Sequence, residues 1–95
     1  MDTEKAVLVG VELKKDRCSI EPSMKELALL AKTAGAQIIG SITQSREKPD
    51  QKYFIGEGKL EELASAVVES EADLVIFDNE LSPSQERNLE ERLGL

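Results

Sequence analysis

The sequence contains no histidine and no tryptophan, and it has a single cysteine, Cys18. The missing histidine excludes Ser-His-Asp and Cys-His catalysis and every metal site built on imidazole. One cysteine excludes an internal disulfide and a cysteine-rich zinc site. Any chemistry in this chain therefore depends on carboxylates, lysines, hydroxyls and backbone amides, and we predict no metal site.

Aromatic residues and long hydrophobic runs are also scarce. Tyr53, Phe54 and Phe77 are the only aromatic residues, too few for a surface that stacks single-stranded nucleic acid. No run approaches the roughly 18 apolar residues of a membrane-spanning helix. The first ten residues lack the basic segment and cleavage site of a signal peptide. We therefore expect a cytoplasmic protein with no membrane span.

The charge is unevenly distributed along the 95 residues, whose formal net charge is −7. Residues 1–45 are balanced, residues 46–59 carry a net charge of +1, and residues 60–95 carry −8. The overall value argues against a uniformly basic surface for nucleic acid. The chain is nevertheless polarised, so a local basic surface remains compatible with this composition.

Hydrophobic patterning predicts alternating strands and helices. β-branched and apolar residues indicate strands over 5–13 and 36–45, and a short buried strand over 73–78. The apolar run at 53–55 is interpreted as one more short strand. Helical periodicity predicts three helices, two between strands and one after the last strand.

Capping residues mark where these helices begin and end. A capping box of Ser23 and Glu26 predicts the start of the first helix, with Ser19 ahead of Pro22 as the alternative. Gly35 fits its left-handed end. The second helix is predicted from Glu57. The third has Ser82 as N-cap, Pro83 and Gln85 in its first turn, and Gly94 as its stop.

This order predicts a single α/β domain over residues 1–95. It would have three layers, with a mostly parallel four-stranded sheet and helices on both faces.

An apolar Leu95 after the stop glycine is how another strand would begin. We therefore expect a longer natural chain, with the last strand of the full domain missing here. One sheet edge would then be uncovered, and this chain would form a homodimer or be only marginally stable.

Two short segments could carry chemistry. GEGK at 56–59 could present backbone amides and Lys59 to a phosphate; the alternative is a tight strand-to-helix turn that requires positive φ. The run LVIFD ends in Asp78, as do strands that present a magnesium-binding aspartate in nucleotide hydrolases. The alternative is that Asp78, Asn79 and Glu80 make local turn bonds.

A third feature is a set of cations that follow the predicted strands. In a parallel sheet, the segments after all strands emerge at the same edge, where ligands favour binding. Seven basic residues occupy these segments, and with two glycines they are our candidates for contact with RNA or a nucleotide. They are Lys14, Lys15, Arg17, Arg46, Lys48, Lys52, Gly56, Gly58 and Lys59. Ordinary solvated loops are the alternative.

Three long segments resemble a known family. LAKTAGAQIIGSITQSREKPD, QKYFIGEGKLEELA and ADLVIFDNELSPSQERNLEERLG are similar to the N-terminal domain of the HflX family of ribosome-associated GTPases. The resemblance implies that a helical hairpin and a GTPase domain, which binds GTP and Mg²⁺, follow this α/β domain. It also implies association with the large (50S) ribosomal subunit and its RNA, in splitting or rescue of ribosomes.

The chain lacks the phosphate loop and guanine-reading motif of such a GTPase. We therefore expect a non-catalytic module with no cofactor of its own, which packs on its own GTPase domain. Gln85, Arg87 and Asn88 are family-like positions that we expect at that interdomain contact. The alternative function is a stand-alone nucleotide-binding domain that uses GEGK and Asp78; an interaction unit without a ligand is a third.

Overall fold

The computed structural model describes residues 3–14 and 19–95. Lys15, Arg17 and Cys18, which the sequence singled out, lie outside these ranges. Three strands alternate with three helices: β1 (Lys5–Leu13), α1 (Glu21–Thr33), β2 (Gln37–Arg46), α2 (Glu57–Ser70), β3 (Leu74–Phe77) and α3 (Pro83–Leu93).

The described strands form one parallel sheet in the order β2-β1-β3. β1 lies in the centre, and every residue from Ala6 to Val11 is buried. This burial explains why β1 is apolar on both faces: alternate side chains of a strand point to opposite sides, and both sides of a central parallel strand are covered. The predicted α/β class and parallel sheet are confirmed.

The helices cover both faces of the sheet, as predicted. Val7, Val9 and Val11 pack in one buried cluster with Leu60 and Leu63 of α2 and with Leu89 of α3. On the opposite face, Gly10 lies against Met24 of α1, so closely that an added Cβ would be 2.5 Å from the Met24 sulfur. Gly10 therefore provides the space in which α1 approaches the sheet.

The prediction of a four-stranded sheet is wrong in one respect, because residues 53–55 are not a strand of the sheet. Phe54 makes only an isolated antiparallel bridge to Asp50, and its φ of 70° is incompatible with extended backbone. Phe54 and Ile55 are apolar because their side chains join the core beneath α2. A three-residue apolar run does not distinguish a buried strand from a loop whose side chains join the core.

The first helix begins at Glu21, so the predicted Ser23–Glu26 capping box is wrong. Pro22 stands in the first turn, where a missing N–H has no cost, and Ser19 Oγ accepts a hydrogen bond from Glu21 N. The alternative start near Ser19 is therefore correct. Gly35 and Gly94 both have positive φ, as their positions after helices predicted.

β3 is an edge strand of the described sheet. A groove runs along it, lined by Val75 and Phe77 of β3, by Leu89 and Leu93 of α3, and by Leu95. Asp73, Glu86 and Glu90 also line this groove. We call it the α3–β3 groove; that a missing strand leaves this edge uncovered stays a prediction.

Candidate functional site

The β2–α2 loop, residues 47–56, is an ordered structure at the carboxyl edge of the sheet. Asp50 organises it, because its Oδ2 accepts hydrogen bonds from Lys52 N (2.9 Å) and Tyr53 N (2.8 Å). Asp50 and Phe54 also exchange both backbone hydrogen bonds, at 3.0 and 3.1 Å. The aspartate thus forms a turn of the type that its short side chain favours.

Phe54 combines a left-handed backbone with a buried aromatic ring. Its φ is 70°, and 6% of its surface is exposed. A bulky residue in this region is rare, and such strain persists only where surrounding contacts determine the conformation. The Asp50 bonds and the burial of the ring in the core supply those contacts.

Two side chains of α3 hold the same turn from the other side. Gln85 Nε2 donates to Asp50 O at 2.9 Å, and Asn88 Nδ2 donates to Lys52 O at 3.0 Å. Gln85 also completes the capping box predicted with Ser82: its Oε1 accepts from Ser82 N, while its own N–H donates to Ser82 Oγ. Both amide side chains therefore bind backbone of this domain, whereas Arg87 is exposed.

β2 anchors the two ends of the loop. Arg46 Nε donates to Lys48 O at 3.1 Å, and Gln44 Oε1 accepts from Gly56 N at 2.9 Å. A Cβ on Gly56 would lie 2.6 Å from an Arg46 guanidinium nitrogen and 3.0 Å from the Gln44 amide nitrogen. Gly56 is therefore needed for close approach between the loop and β2.

This geometry corrects the turn interpretation of GEGK. Gly56 is the N-cap of α2 with φ −69°, and the glycines with positive φ are Gly35 and Gly94. No side chain caps the start of α2. Lys59 is half-buried and forms an ion pair with Glu62, with a nitrogen–oxygen distance of 3.0 Å. The motif brings a helix N-terminus beside Arg46, but its lysine is turned toward a carboxylate.

The remaining cations are on the solvent side of this edge. Lys14, Lys48 and Lys52 are exposed, and the Lys52 ammonium lies 5.3 Å from the centre of the Tyr53 ring. Arg46, Lys48 and Lys52 thus belong to one ordered loop and its strand. These three are neighbours because they are close in sequence, and the gathering of all seven cations at this edge stays a prediction.

Asp78 follows β3, and its backbone N–H donates to Val9 O at 2.8 Å. The side chain of the next residue, Asn79, bonds to the backbone of the central strand. Its Oδ1 accepts from Val11 N at 2.8 Å, and its Nδ2 donates to Val11 O at 3.0 Å. These bonds reach the central strand, so the expected local turn bonds at Asn79 are wrong. The anchoring roles of Gln44 and Asn79 are not apparent from the sequence, because their partners are 12 and 68 residues away and no local pattern signals them.

These features define a small parallel α/β domain whose carboxyl edge presents an ordered, cation-bearing loop. Among residues 3–14 and 19–95, no helix has the length and apolarity needed to cross a membrane. A family model described as the N-terminal region of GTP-binding GTPases matches residues 21–95. The chain belongs to this family, the N-terminal domains of HflX-type GTPases.

Individual relatives agree with this assignment. The GTPase HflX of Alkalihalophilus pseudofirmus is 45% identical over 99% of this chain. That of Escherichia coli K12 is 45% identical over 92% of it, and that of Thermococcus kodakarensis is 44% identical over 77%. The aligned residues make up 22%, 20% and 16% of these relatives. The chain thus spans about a fifth of the length of the curated relatives it matches, and the expected family resemblance is confirmed.

Proposed function

We propose that this chain is the non-catalytic N-terminal domain of a longer HflX-type GTPase and binds RNA of the large ribosomal subunit. The β2–α2 loop makes the contact, through Arg46, Lys48 and Lys52. The activity of the whole protein, ribosome splitting or rescue in the cytoplasm, depends on GTP and Mg²⁺ bound elsewhere in it.

The observation that carries this proposal is the ordered loop that bears exposed cations at the carboxyl edge of an acidic chain. Lys48 and Lys52 are exposed, and residues 46–59 carry a net charge of +1, whereas residues 60–95 carry −8. A locally positive loop on an acidic domain selects the orientation in which phosphates are approached. Contacts with phosphate fix position and need no recognition of bases, which agrees with the scarcity of aromatic residues.

Charge reversal at the loop tests this proposal. We expect Lys48→Glu and Lys52→Glu, singly and together, to weaken binding of the chain to isolated large ribosomal subunits. A plot of log affinity against log salt concentration has a negative slope. Its magnitude should become smaller by about 0.7–0.9 for every phosphate that the variant no longer neutralises. Arg46→Glu should also weaken binding, but it removes the hydrogen bond to Lys48 O as well.

Lys32→Glu is the matched control for a single reversed charge. Lys32 is exposed in the last turn of α1, at the opposite end of the sheet from the loop. Its reversal should leave the affinity and the salt slope nearly unchanged. Equal effects of the Lys32 and Lys52 reversals, or no effect of either, would contradict an RNA contact at the loop.

GTP and Mg²⁺ are assigned to the remainder of the longer protein because groups in GEGK already have other partners. Gly56 N is bonded to Gln44, Lys59 is paired with Glu62, and Leu60 stands where a phosphate loop requires serine or threonine. Titration with GTP and ATP, with and without Mg²⁺, separates this proposal from the stand-alone nucleotide-binding alternative. Saturable binding that Lys59→Ala abolishes would favour the alternative.

The α3–β3 groove is the surface on which we propose that the following part of the longer protein packs. Leu95 itself lines the groove, so chain continuing from it would start beside the free edge of β3. Limited proteolysis of the longer protein tests this contact: β3 should be protected there and cleaved more readily in this chain. Equal cleavage of β3 in both would show that the groove stays open.

A further inference from the structure

Gln85 and Asn88 stand three residues apart on α3, so their side chains share one face of the helix. Their amide donors converge on two carbonyls of one turn, Asp50 O at 2.9 Å and Lys52 O at 3.0 Å. Both residues are half-buried between helix and loop. The position of Lys52 is therefore set by α3 as well as by the loop's own bonds.

Within the β2–α2 loop, Asp50 connects this anchor to the cations. Its carbonyl accepts from both Gln85 Nε2 and Phe54 N, and its carboxylate accepts from Lys52 N and Tyr53 N. Displacing Asp50 would thus release the turn that carries Lys52. At the other end of the loop, Arg46 Nε holds Lys48 O, so the two exposed lysines have separate anchors.

We propose that Gln85 and Asn88 are positioning residues for RNA binding, which hold the β2–α2 loop in the conformation that presents Lys52 to phosphate. This inference rests on the proposed function. A loop that is ordered before binding loses less conformational entropy when it meets its ligand. Removing the anchors should therefore weaken binding although every cation of the loop remains in the chain.

Gln85→Glu separates the two roles of Gln85. Glutamate keeps the oxygen that accepts from Ser82 N, and it is itself a preferred residue at this position of a capping box. It loses the N–H that donates to Asp50 O. Asn88→Ala removes the second donor without adding charge, and alanine is compatible with the helix.

Ser84→Asp is the matched control for the charge that Gln85→Glu introduces. Ser84 is exposed in the same turn of α3, and an acidic side chain there is favourable at a helix N-terminus. It adds one negative charge and removes no donor to the loop. Any decrease in affinity shared by both variants is therefore a general charge effect.

The first measurement needs no RNA: amide hydrogen exchange in the purified chain. Lys52, Tyr53 and Phe54 should exchange faster in Gln85→Glu and Asn88→Ala, whereas Gln85 N and the rest of α3 stay protected. The second is affinity for isolated large ribosomal subunits. Each variant should bind about two- to tenfold more weakly, the range for one hydrogen bond, with the salt slope unchanged because every cation is retained.

Different outcomes overturn the inference and the proposed function. If the lysine reversals weaken binding but the anchor variants bind like Ser84→Asp, the inference is wrong and the RNA contact stands. Unchanged exchange at Lys52 to Phe54 likewise refutes the positioning role. If the parent chain does not bind the subunits, the proposed function fails and the inference with it. Should Gln85→Glu not fold, Asn88→Ala alone decides.

Discussion

At the scale of single residues, the two glycines of the 56–59 segment have unlike roles despite their proximity. Gly56 is in contact with β2, because a side chain there would meet Arg46 and Gln44. Gly58 is the second residue of α2, and a Cβ at that position would meet nothing within 4 Å. Only Gly56 is therefore required by the packing of the fold.

This difference predicts opposite effects of the same substitution. Gly58→Ala should stabilise the chain by about 0.4–1 kcal/mol, because alanine restricts the unfolded chain more than glycine does and the helical backbone here accommodates it. Gly56→Ala should destabilise it by about 1–3 kcal/mol, since Arg46 and Gln44 must move. Denaturant unfolding of the two variants measures both values; a stabilising Gly56→Ala would show that the β2 anchors yield without cost.

At the scale of elements, the contact between α1 and the sheet depends on Gly10. The Met24 sulfur and Ile20 Cγ1 would lie 2.5 and 3.1 Å from an added Cβ. No positive φ is involved at this glycine, so the constraint is space alone. The distance of α1 from β1 is thus set by a residue without a side chain.

Gly10→Ala should cost about 1–3 kcal/mol through overpacking. The double variant Gly10→Ala/Met24→Ala should cost less than the sum of its single changes, because shortening Met24 vacates the space that the new methyl group needs. The free energies of unfolding of the four proteins in this cycle provide the test. Strict additivity would mean that the methyl group is accommodated by moving the helix instead.

The elements also show where prediction from sequence succeeds. The apolar pattern of β1 is long enough to predict both of its ends, and the periodicity of α2 predicts that this helix begins at Glu57. The apolar run at 53–55 predicts a strand wrongly, because Phe54 and Ile55 are buried for a different reason. The anchors Gln44, Gln85 and Asn79 bond to partners 12, 35 and 68 residues away, and such pairings become apparent only in three dimensions.

At the scale of the whole molecule, association of this chain and its binding to RNA should respond oppositely to salt. The α3–β3 groove offers a free strand edge with apolar lining, yet Asp73, Glu86 and Glu90 are also in it. Two copies that paired there would bring these acids together, in addition to a net charge of −7 each. Salt screens this repulsion, whereas it weakens contacts with phosphate.

We therefore expect self-association of the chain to increase with salt concentration. Sedimentation velocity at low and high salt measures the monomer–dimer balance, and Leu95→Glu should shift it toward monomer by placing another charge in the groove. Lys32→Glu, which changes charge away from the groove, is the control. A monomer at all salt concentrations would indicate that α3 and its acids close this edge to a second copy.

The central place of β1 also has a consequence for synthesis. β1 precedes both of the strands that flank it. β2 begins 24 residues after the end of β1, and β3 follows only at Leu74–Phe77, so β1 is covered on both sides only when β3 has been made. Domains fold as units during translation, and parallel pairings of distant segments are slow. A nascent chain must therefore expose its longest apolar run, AVLVGV, until β3 has left the ribosome, which is the interval when chaperones at the exit tunnel would engage it.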